Sequence, residues 1–203
     1  FKEKCVKKFE GISKDKFIGG WYISHDICDK LIEWYHDNKK YQVDGVVYNQ
    51  NFEGGFAIDP SYKESTEIGI SHENGDYPIN QYRVWQQRVL DAYIREYPDS
   101  NNLLDAFNIN EAFNLQHYAP TQGFKQLHAE RTGVKMSKRV LVFMTYLNDV
   151  PGGGTQFPSQ SFTAPAEKGL TLIWPAEWTH AHVGQISPTN DKYIITGWYS
   201  FNE

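Results

Sequence analysis

The segment RVLVFMTYL, residues 139–147, constrains the fold more than any other part of the sequence. It is apolar at consecutive positions, so as a β-strand it places apolar side chains on both faces of a sheet. A strand of this kind is stable only where other layers cover both faces. The segment therefore predicts a central strand inside a sandwich of two sheets, or in a sheet packed by helices.

Further short strands and turns are predicted around this segment. AFNLQHY, residues 112–118, alternates between one face with Phe113 and Leu115 and a polar face with Gln116 and Tyr118. From about residue 105 onward the pattern predicts sheet packed on sheet. Two more strands are predicted at GLTLIW (169–174) and KYIITGWYSF (192–201), and turns at PGGGTQFP (151–158) and ISPTND (186–191).

The first half of the chain contains the helical patterns. After a strand at FIGGWYIS (17–24), Ser24 or Asp26 can cap a helix with apolar residues at helical spacing. A second helix carries an aromatic or aliphatic residue every fourth position and stops before Pro98. We expect residues 41–80 to be loop with small strands. Helices first and strands later make the fold class α+β.

One domain is the expectation for 203 residues. We divide it into an N-terminal arm at 1–16 with no part in the fold, a helix-rich support at 17–104, and a core at 105–203. The segment YNQNFEGGF (48–56) is expected to cover the sheet as core rather than to line a peptide groove.

Charge and composition disfavour several function classes. Lys and Arg total 20 against 25 Asp and Glu, a net charge of −5, which disfavours nonspecific binding to nucleic acid. No apolar stretch approaches the roughly 18 residues of a membrane helix. Cys5 and Cys28 are too few to hold the fold together, which suggests a reducing compartment. We expect a soluble, cytoplasmic protein.

His128 and Glu130 form the first candidate metal-ligand pair. On a strand, residues two apart point to the same face and can hold one ion together. A single His-x-acid triplet is expected by chance in a chain of this composition. A surface histidine beside a glutamate is therefore the alternative at this point.

WTHAHVG supplies His180 and His182, again two residues apart. Two nitrogens and one carboxylate oxygen on one side of an ion leave three neighbouring octahedral positions open, the arrangement of non-haem Fe(II) oxygenases. Zinc is an alternative ion, although the HExxH helix that usually supplies such a set is absent from the sequence. A histidine-containing turn without a metal also remains open.

Lys192 follows His182 by ten residues, at the start of an apolar strand. A buried ammonium group is costly unless an anion meets it, which favours a ligand with a carboxylate. The alternative is a side chain that extends from the strand end into water.

Four ordered segments, YAPTQGFKQLHAE, YLNDVPGGGTQFP, KGLTLIWPAEWTHAHVG and KYIITGWY, together resemble the 2-oxoglutarate and Fe(II)-dependent dioxygenases, prolyl 4-hydroxylase-like branch. The resemblance covers residues 105–201 and, more weakly, the strand and helix after residue 16. It implies a double-stranded β-helix, or jelly roll, with a metal at its mouth and the N-terminal helices packed on its major sheet. Residues 105–203 would then be the catalytic core.

The resemblance also implies roles for individual residues. His128, Glu130 and His182 would be the catalytic metal ligands. Lys192 falls where the family binds the far carboxylate of 2-oxoglutarate. His182 is preferred to His180 because it, and not His180, lies ten residues before Lys192. Four further side chains would contact the co-substrate or wall its pocket, Gln116 reaching either the co-substrate or the substrate: Tyr118, Thr155, Gln116 and Trp198. Apart from the resemblance, Arg131 is a candidate substrate contact in the loop after Glu130, which carries no recognisable motif.

Two departures from the family pattern stand out. Glu130 occupies a position where most members have Asp, so an extra methylene must be absorbed and iron affinity could change. Phe124 or Lys125 lies where many members place a tyrosine that binds 2-oxoglutarate, and Tyr118 would compensate.

The activity implied by the resemblance is hydroxylation of a C–H bond, coupled to decarboxylation of 2-oxoglutarate by O2. The cofactor set is Fe(II), 2-oxoglutarate and O2, with ascorbate as a candidate reductant. A prolyl residue in a peptide or free proline is the expected substrate. The alternatives are a nucleic-acid or other small-molecule oxygenase or demethylase of the same superfamily, and a cupin-like binding module without turnover.

Overall fold

The computed structural model describes residues 5–48 and 55–202. In these ranges the helices are α1 (His25–Asp37), α2 (Ile79–Glu96) and α3 (Asp99–Asn102). The strands are β1 (Lys7–Lys8), β2 (Gly19–Tyr22), β3 (Val43–Asp44), β4 (Val47–Tyr48), β5 (Phe56–Ala57), β6 (Lys63–Glu64), β7 (Thr66–Ile70), β8 (Phe107–Asn108), β9 (Phe113–Tyr118), β10 (Gly123–Phe124), β11 (Arg139–Tyr146), β12 (Val150–Phe157), β13 (Phe162–Ala166), β14 (Leu170–Pro175), β15 (Val183–Gly184) and β16 (Lys192–Phe201).

The strands form one large sheet and several small ones. The large sheet has the order β1–β2–β14–β11–β16–β9–β7–β3, with β8 paired to β16 beside that path. A second sheet has the order β13–β12–β15, and two hairpin-like pairs join β10 to β6 and β4 to β5. All of these pairings are antiparallel.

Strand β11 lies at the centre of the fold and is buried on both faces, as the sequence predicts. Leu141 and Phe143 belong to a core cluster that includes residues of α1 and α2. Val142 and Met144 alternate with them and belong to a second cluster, which includes Phe157 of the small sheet. Helices therefore cover one face of the large sheet and the small sheet covers the other, which confirms the α+β class with helices packed on the major sheet.

Helices α1 and α2 pack through their predicted apolar faces. Leu31 and Tyr35 of α1 are buried, as are Val89 and Tyr93 of α2. Ser24 occupies the position before α1, but its side chain makes no capping hydrogen bond.

Two local predictions are wrong. Lys7 and Lys8 of the expected arm form β1, which pairs with β2, so this part of residues 1–16 belongs to the large sheet. The expected turn PGGGTQFP is almost entirely strand β12. Gly154 explains the second error, because a Cβ there would lie 2.0 Å from the Ala164 carbonyl oxygen of β13, so the two strands can approach only at a glycine.

Part of YNQNFEGGF, residues 49–54, lies outside the described residues. Tyr48 is half-buried and Phe56 is 54% exposed, and both line the cavity described below, so the expectation of a core segment is wrong for these two rings. Cys5 and Cys28 are free thiols. Among the described residues, no helix has the length and apolarity needed to cross a membrane.

Candidate functional site

His128, Glu130 and His182 come together in the lining of one cavity. The backbones of His128 and His182 form an isolated antiparallel bridge, with reciprocal N–H···O bonds of 3.0 and 2.8 Å. Glu130 Oε1 lies 3.5 Å from Nε2 of each histidine. One ligand atom from each residue lies within 4.8 Å of the other two, so the three side chains could hold one metal ion.

Backbone carbonyl groups orient both imidazole rings. His128 Nδ1 lies 2.9 Å from the carbonyl oxygen of Gln126, and His182 Nδ1 lies 3.0 Å from that of His180. A carbonyl oxygen can only accept, so each Nδ1 carries the proton and each Nε2 keeps a lone pair directed toward Glu130. This arrangement prepares two neutral nitrogen ligands.

The protonation states of the site also suit a divalent cation. Burial alone would raise the pKa of the Glu130 carboxyl, but contacts with His128 and His182 hold that pKa well below its usual range. Burial lowers the pKa of His182, and the neighbouring imidazole of His128 lowers it further. Glu130 is therefore anionic and His182 neutral near pH 7, the forms that bind a metal. A donor set of two imidazole nitrogens and one carboxylate oxygen fits Fe(II) and also zinc.

The second oxygen of Glu130 faces a different set of groups. Trp198 donates its indole N–H to Glu130 Oε2 at 3.0 Å. Arg139 Nη1 lies 3.6 Å from the same oxygen, and its guanidinium carbon lies 3.5 Å from the centroid of the Trp198 ring. Trp198, predicted to wall the pocket, therefore also contacts a candidate metal ligand.

Lys192 lines the cavity that also contains the three candidate ligands, and it is 5% exposed. Its ammonium group donates to the carbonyl oxygens of Gly153 at 3.2 Å and Gln185 at 2.9 Å. Within the described part of the chain, Lys192 forms no ion pair, and two acceptors leave one of its three N–H groups for a ligand. Burial lowers the pKa of Lys192 to about 8. An anion in the cavity would stabilise this charge.

Hydroxyl and amide groups surround Lys192. Tyr118 donates to Gln116 Oε1 at 2.7 Å, and the ammonium group lies 5.1 Å from the centroid of the Tyr118 ring. The hydroxyls of Thr155 and Tyr146 lie 2.6 Å apart. Thr155 Oγ1 also donates to Met144 Sδ at 4.0 Å, a long contact that a stronger acceptor in the cavity would replace. The sequence missed Tyr146, which shares the inward face of β11 with Val142 and Met144.

The cavity joining these groups has a volume of about 670 Å³. Its lining includes the three candidate ligands, Lys192, and a buried ion pair between Lys63 and Glu67. A cavity of this size is typical of a small-molecule site.

Two predicted residues have other contacts. Arg131 forms an ion pair with Glu177 and donates to the Arg139 carbonyl oxygen at 3.3 Å, and it does not line the cavity. The structure therefore does not bring Arg131 together with the other predicted site residues. His180 is buried outside the ligand set, with Nε2 3.0 Å from the Lys16 carbonyl oxygen, as expected for a structural histidine.

Phe124 is one of the two residues expected where the family pattern has a tyrosine. Its ring stacks on His128 with centroids 3.6 Å apart and an interplanar angle of 14°. Phe124 therefore supports a candidate ligand through packing and supplies no hydroxyl, whereas Tyr118, Tyr146 and Thr155 bring hydroxyl groups to the cavity lining.

No protein-family profile matches the chain, and no curated protein matches its sequence. Solved structures do match. A viral collagen prolyl hydroxylase from Paramecium bursaria Chlorella virus-1, in its 2-oxoglutarate complex, is 17% identical with a TM-score of 0.65 over 98% of both chains. A Pseudomonas putida prolyl-4-hydroxylase is 12% identical with a TM-score of 0.65, over 93% of this chain and 94% of that chain.

A third match is a Trichoplax adhaerens prolyl hydroxylase in complex with a peptide fragment of the hypoxia-inducible factor oxygen degradation domain. It is 13% identical with a TM-score of 0.65, over 91% of this chain and 84% of that chain. These likenesses show that the chain has the fold of the prolyl 4-hydroxylases. They confirm, at the level of fold, the resemblance indicated by the motifs and the predicted double-stranded β-helix class.

Proposed function

We propose that this protein is an Fe(II)- and 2-oxoglutarate-dependent oxygenase that hydroxylates a C–H bond. The observation that carries the proposal is the presence, in one cavity, of a His–Glu–His set with both Nε2 lone pairs free and a buried lysine with an N–H to spare. Metal ligation by His128, Glu130 and His182 and carboxylate binding by Lys192 are the two parts of this assignment.

Each part has a defined chemical role. When bound, Fe(II) supplies the redox chemistry by which 2-oxoglutarate, O2 and R–H become succinate, CO2 and R–OH. Lys192 would form a charge-assisted hydrogen bond to the far carboxylate of 2-oxoglutarate, with Tyr118 and the Thr155–Tyr146 pair as further hydrogen-bonding groups. Lys192 is 5% exposed, so these polar contacts form with little competition from water.

We further propose a prolyl side chain as the site of hydroxylation, in a peptide or as free proline. The support is the set of prolyl hydroxylases that share this fold, one of them solved with a peptide. Nothing in the cavity lining distinguishes the two forms of substrate, so both belong in the assay.

Anaerobic titration with 2-oxoglutarate tests the metal and co-substrate sites together. Fe(II)-loaded wild type should develop a weak visible metal-to-ligand charge-transfer band. His182→Ala should lose the band and Lys192→Ala should need far more 2-oxoglutarate to produce it. His180→Ala is the matched control, because His180 lies two residues away but outside the ligand set, and it should retain the band.

Turnover is tested separately. With O2, wild type should release succinate and add one oxygen atom to a proline-containing peptide or to free proline, detected by mass spectrometry. A charge-transfer band with succinate release but no modified proline would refute only the prolyl substrate. A folded, iron-loaded wild type without the band would refute the oxygenase and favour a binding module of the same fold.

A further inference from the structure

The two oxygens of the Glu130 carboxylate are held in different surroundings. Oε1 is equidistant, at 3.5 Å, from the two histidine Nε2 atoms. Oε2 accepts the indole N–H of Trp198 at 3.0 Å and lies 3.6 Å from Arg139 Nη1. The structure thus directs one oxygen toward the candidate metal position and the other toward a donor on β16.

This asymmetry matters because the ligand is a glutamate. A glutamate side chain has one more rotatable bond than aspartate, so more conformational freedom is lost when its carboxylate is fixed. A free carboxylate could rotate and present either oxygen. A hydrogen bond to Oε2 selects the rotamer in which Oε1 faces His128 and His182.

Arg139 and Glu111 hold Trp198 in place. The Arg139 guanidinium stacks on the indole ring and donates to both carboxylate oxygens of Glu111, from Nε at 3.0 Å and from Nη2 at 2.7 Å. Ser200 donates to Glu111 Oε1 at 3.0 Å and so ties this pair to β16. Arg139 is 15% exposed, so the stacking and ion pairing occur with little competition from water.

We propose that Trp198 is a positioning residue that fixes Glu130 as a ligand through a single oxygen, with Arg139 and Glu111 supporting the indole. The inference rests on the proposed function, since it presumes the metal centre. It explains how the extra methylene of glutamate is accommodated: the longer side chain carries Oε2 to the indole N–H. A shorter aspartate would have no need of this contact.

A double-mutant cycle on metal affinity tests the proposal without turnover. Mn(II) binding is measured from the EPR signal of the free ion, for wild type, Trp198→Phe, Glu130→Asp and the double variant. Phenylalanine keeps an aromatic ring for Arg139 but removes the indole N–H and part of the ring volume, and the Glu130→Asp background separates these two losses. Trp198→Phe should weaken Mn(II) binding about 10-fold where Glu130 is present and less than twofold in the Glu130→Asp background.

Trp85→Phe is the matched control. Trp85 is also half-buried and also carries an arginine on its ring, with the Arg88 guanidinium carbon 4.9 Å from the centroid, but it lies on α2. Its replacement should leave Mn(II) affinity unchanged. Circular dichroism verifies that every variant is folded.

Three results would overturn the inference. Equal weakening by Trp198→Phe in both backgrounds would mean that the indole acts through packing, and wild-type affinity in Trp198→Phe would mean that it positions nothing. Failure of wild type itself to bind Mn(II) would refute the metal centre of the proposed function, and this inference with it.

A second readout does not need the metal. The indole N–H resonance of Trp198, identified by its absence in Trp198→Phe, should exchange slowly with water in wild type and faster in Glu130→Asp. An identical exchange rate in the two proteins would refute the hydrogen bond on which the proposal depends, even if Glu130→Asp binds no Mn(II).

Discussion

Replacement of Lys192 by methionine should separate the stability of this protein from its binding of 2-oxoglutarate. Burial lowers the pKa of Lys192 from 10.5 to about 8. The protonated form is therefore disfavoured in the folded state by about 3 kcal/mol, at 1.36 kcal/mol for each pH unit. Methionine has a similar length and no charge, so Lys192→Met removes this cost together with the two hydrogen bonds to backbone carbonyl groups.

The pH dependence isolates the charge from the lost hydrogen bonds. Because the pKa of Lys192 is lower in the folded state, the unfolded chain binds more protons between about pH 8 and pH 10.5. The cost is fully present below pH 8 and is relieved as the pH rises toward 10.5. The hydrogen-bond loss does not depend on pH. Between pH 7 and pH 9.5 the free energy of unfolding of wild type should therefore rise by about 2 kcal/mol relative to that of Lys192→Met.

Urea denaturation at the two pH values measures this difference. Lys125→Met is the control, because Lys125 is partly exposed and paired with Glu64, and its difference from wild type should change by less than about 0.5 kcal/mol. Equal changes in unfolding free energy with pH for wild type and Lys192→Met would refute the lowered pKa of the buried ammonium group.

The same ammonium group predicts the pH dependence of ligand binding. If 2-oxoglutarate requires a charged Lys192, affinity should fall about tenfold for each pH unit above 8 in wild type. Lys192→Met should bind 2-oxoglutarate weakly at every pH. Undiminished binding by this variant would refute the assignment of Lys192 to the co-substrate.

Three shorter predictions concern the sheets and the cavity. Gly154→Ala should lower the free energy of unfolding by about 1–3 kcal/mol, since the new Cβ would lie 2.0 Å from the Ala164 oxygen; an unchanged urea midpoint would refute this close approach. Phe143→Ala should cost about 3–5 kcal/mol because the ring is 0% exposed, and a smaller loss would mean that the core collapses around the gap. Thr155→Val should weaken 2-oxoglutarate binding about 5–10-fold through loss of the hydroxyl shared with Tyr146, and calorimetry showing equal affinity would exclude that hydroxyl from the site.

The parts of the fold that follow from local pattern were predictable. Consecutive apolar residues in β11 require a layer on each side, and Leu141 and Val142 lie in different core clusters. The alternation in β9 likewise predicts that Gln116 and Tyr118 share a face, and both line the cavity. Periodicity is a property of neighbouring residues, so a single sequence displays it.

The contacts that depend on register or on long-range pairing were not predictable. The pairing of β11 with β16 shifts between Arg139 and Leu141, so simple alternation along β11 does not place the Arg139 side chain beside Trp198. The glycines of PGGGTQFP predict a turn when only neighbouring residues are considered. They lie in a strand because β13 approaches closely, and that long-range contact is not visible in the sequence. Arg131 follows Glu130 directly in the sequence, but its guanidinium pairs with Glu177, a long-range contact that local pattern does not reveal.

The two faces of the large sheet explain why this fold can contain a site that lowers its stability. On the helix side, Phe143 and Tyr199 are buried in a continuous aromatic and aliphatic cluster that supplies stability. On the other side, the same strands bury Lys192, an uncompensated charge that disfavours folding until an anion binds. Because β11 and β16 contribute side chains to both faces, the rigid packing of one face fixes the backbone positions of the polar groups on the other. A variant that loosens the helix face should therefore weaken ligand binding even where every cavity residue is unchanged.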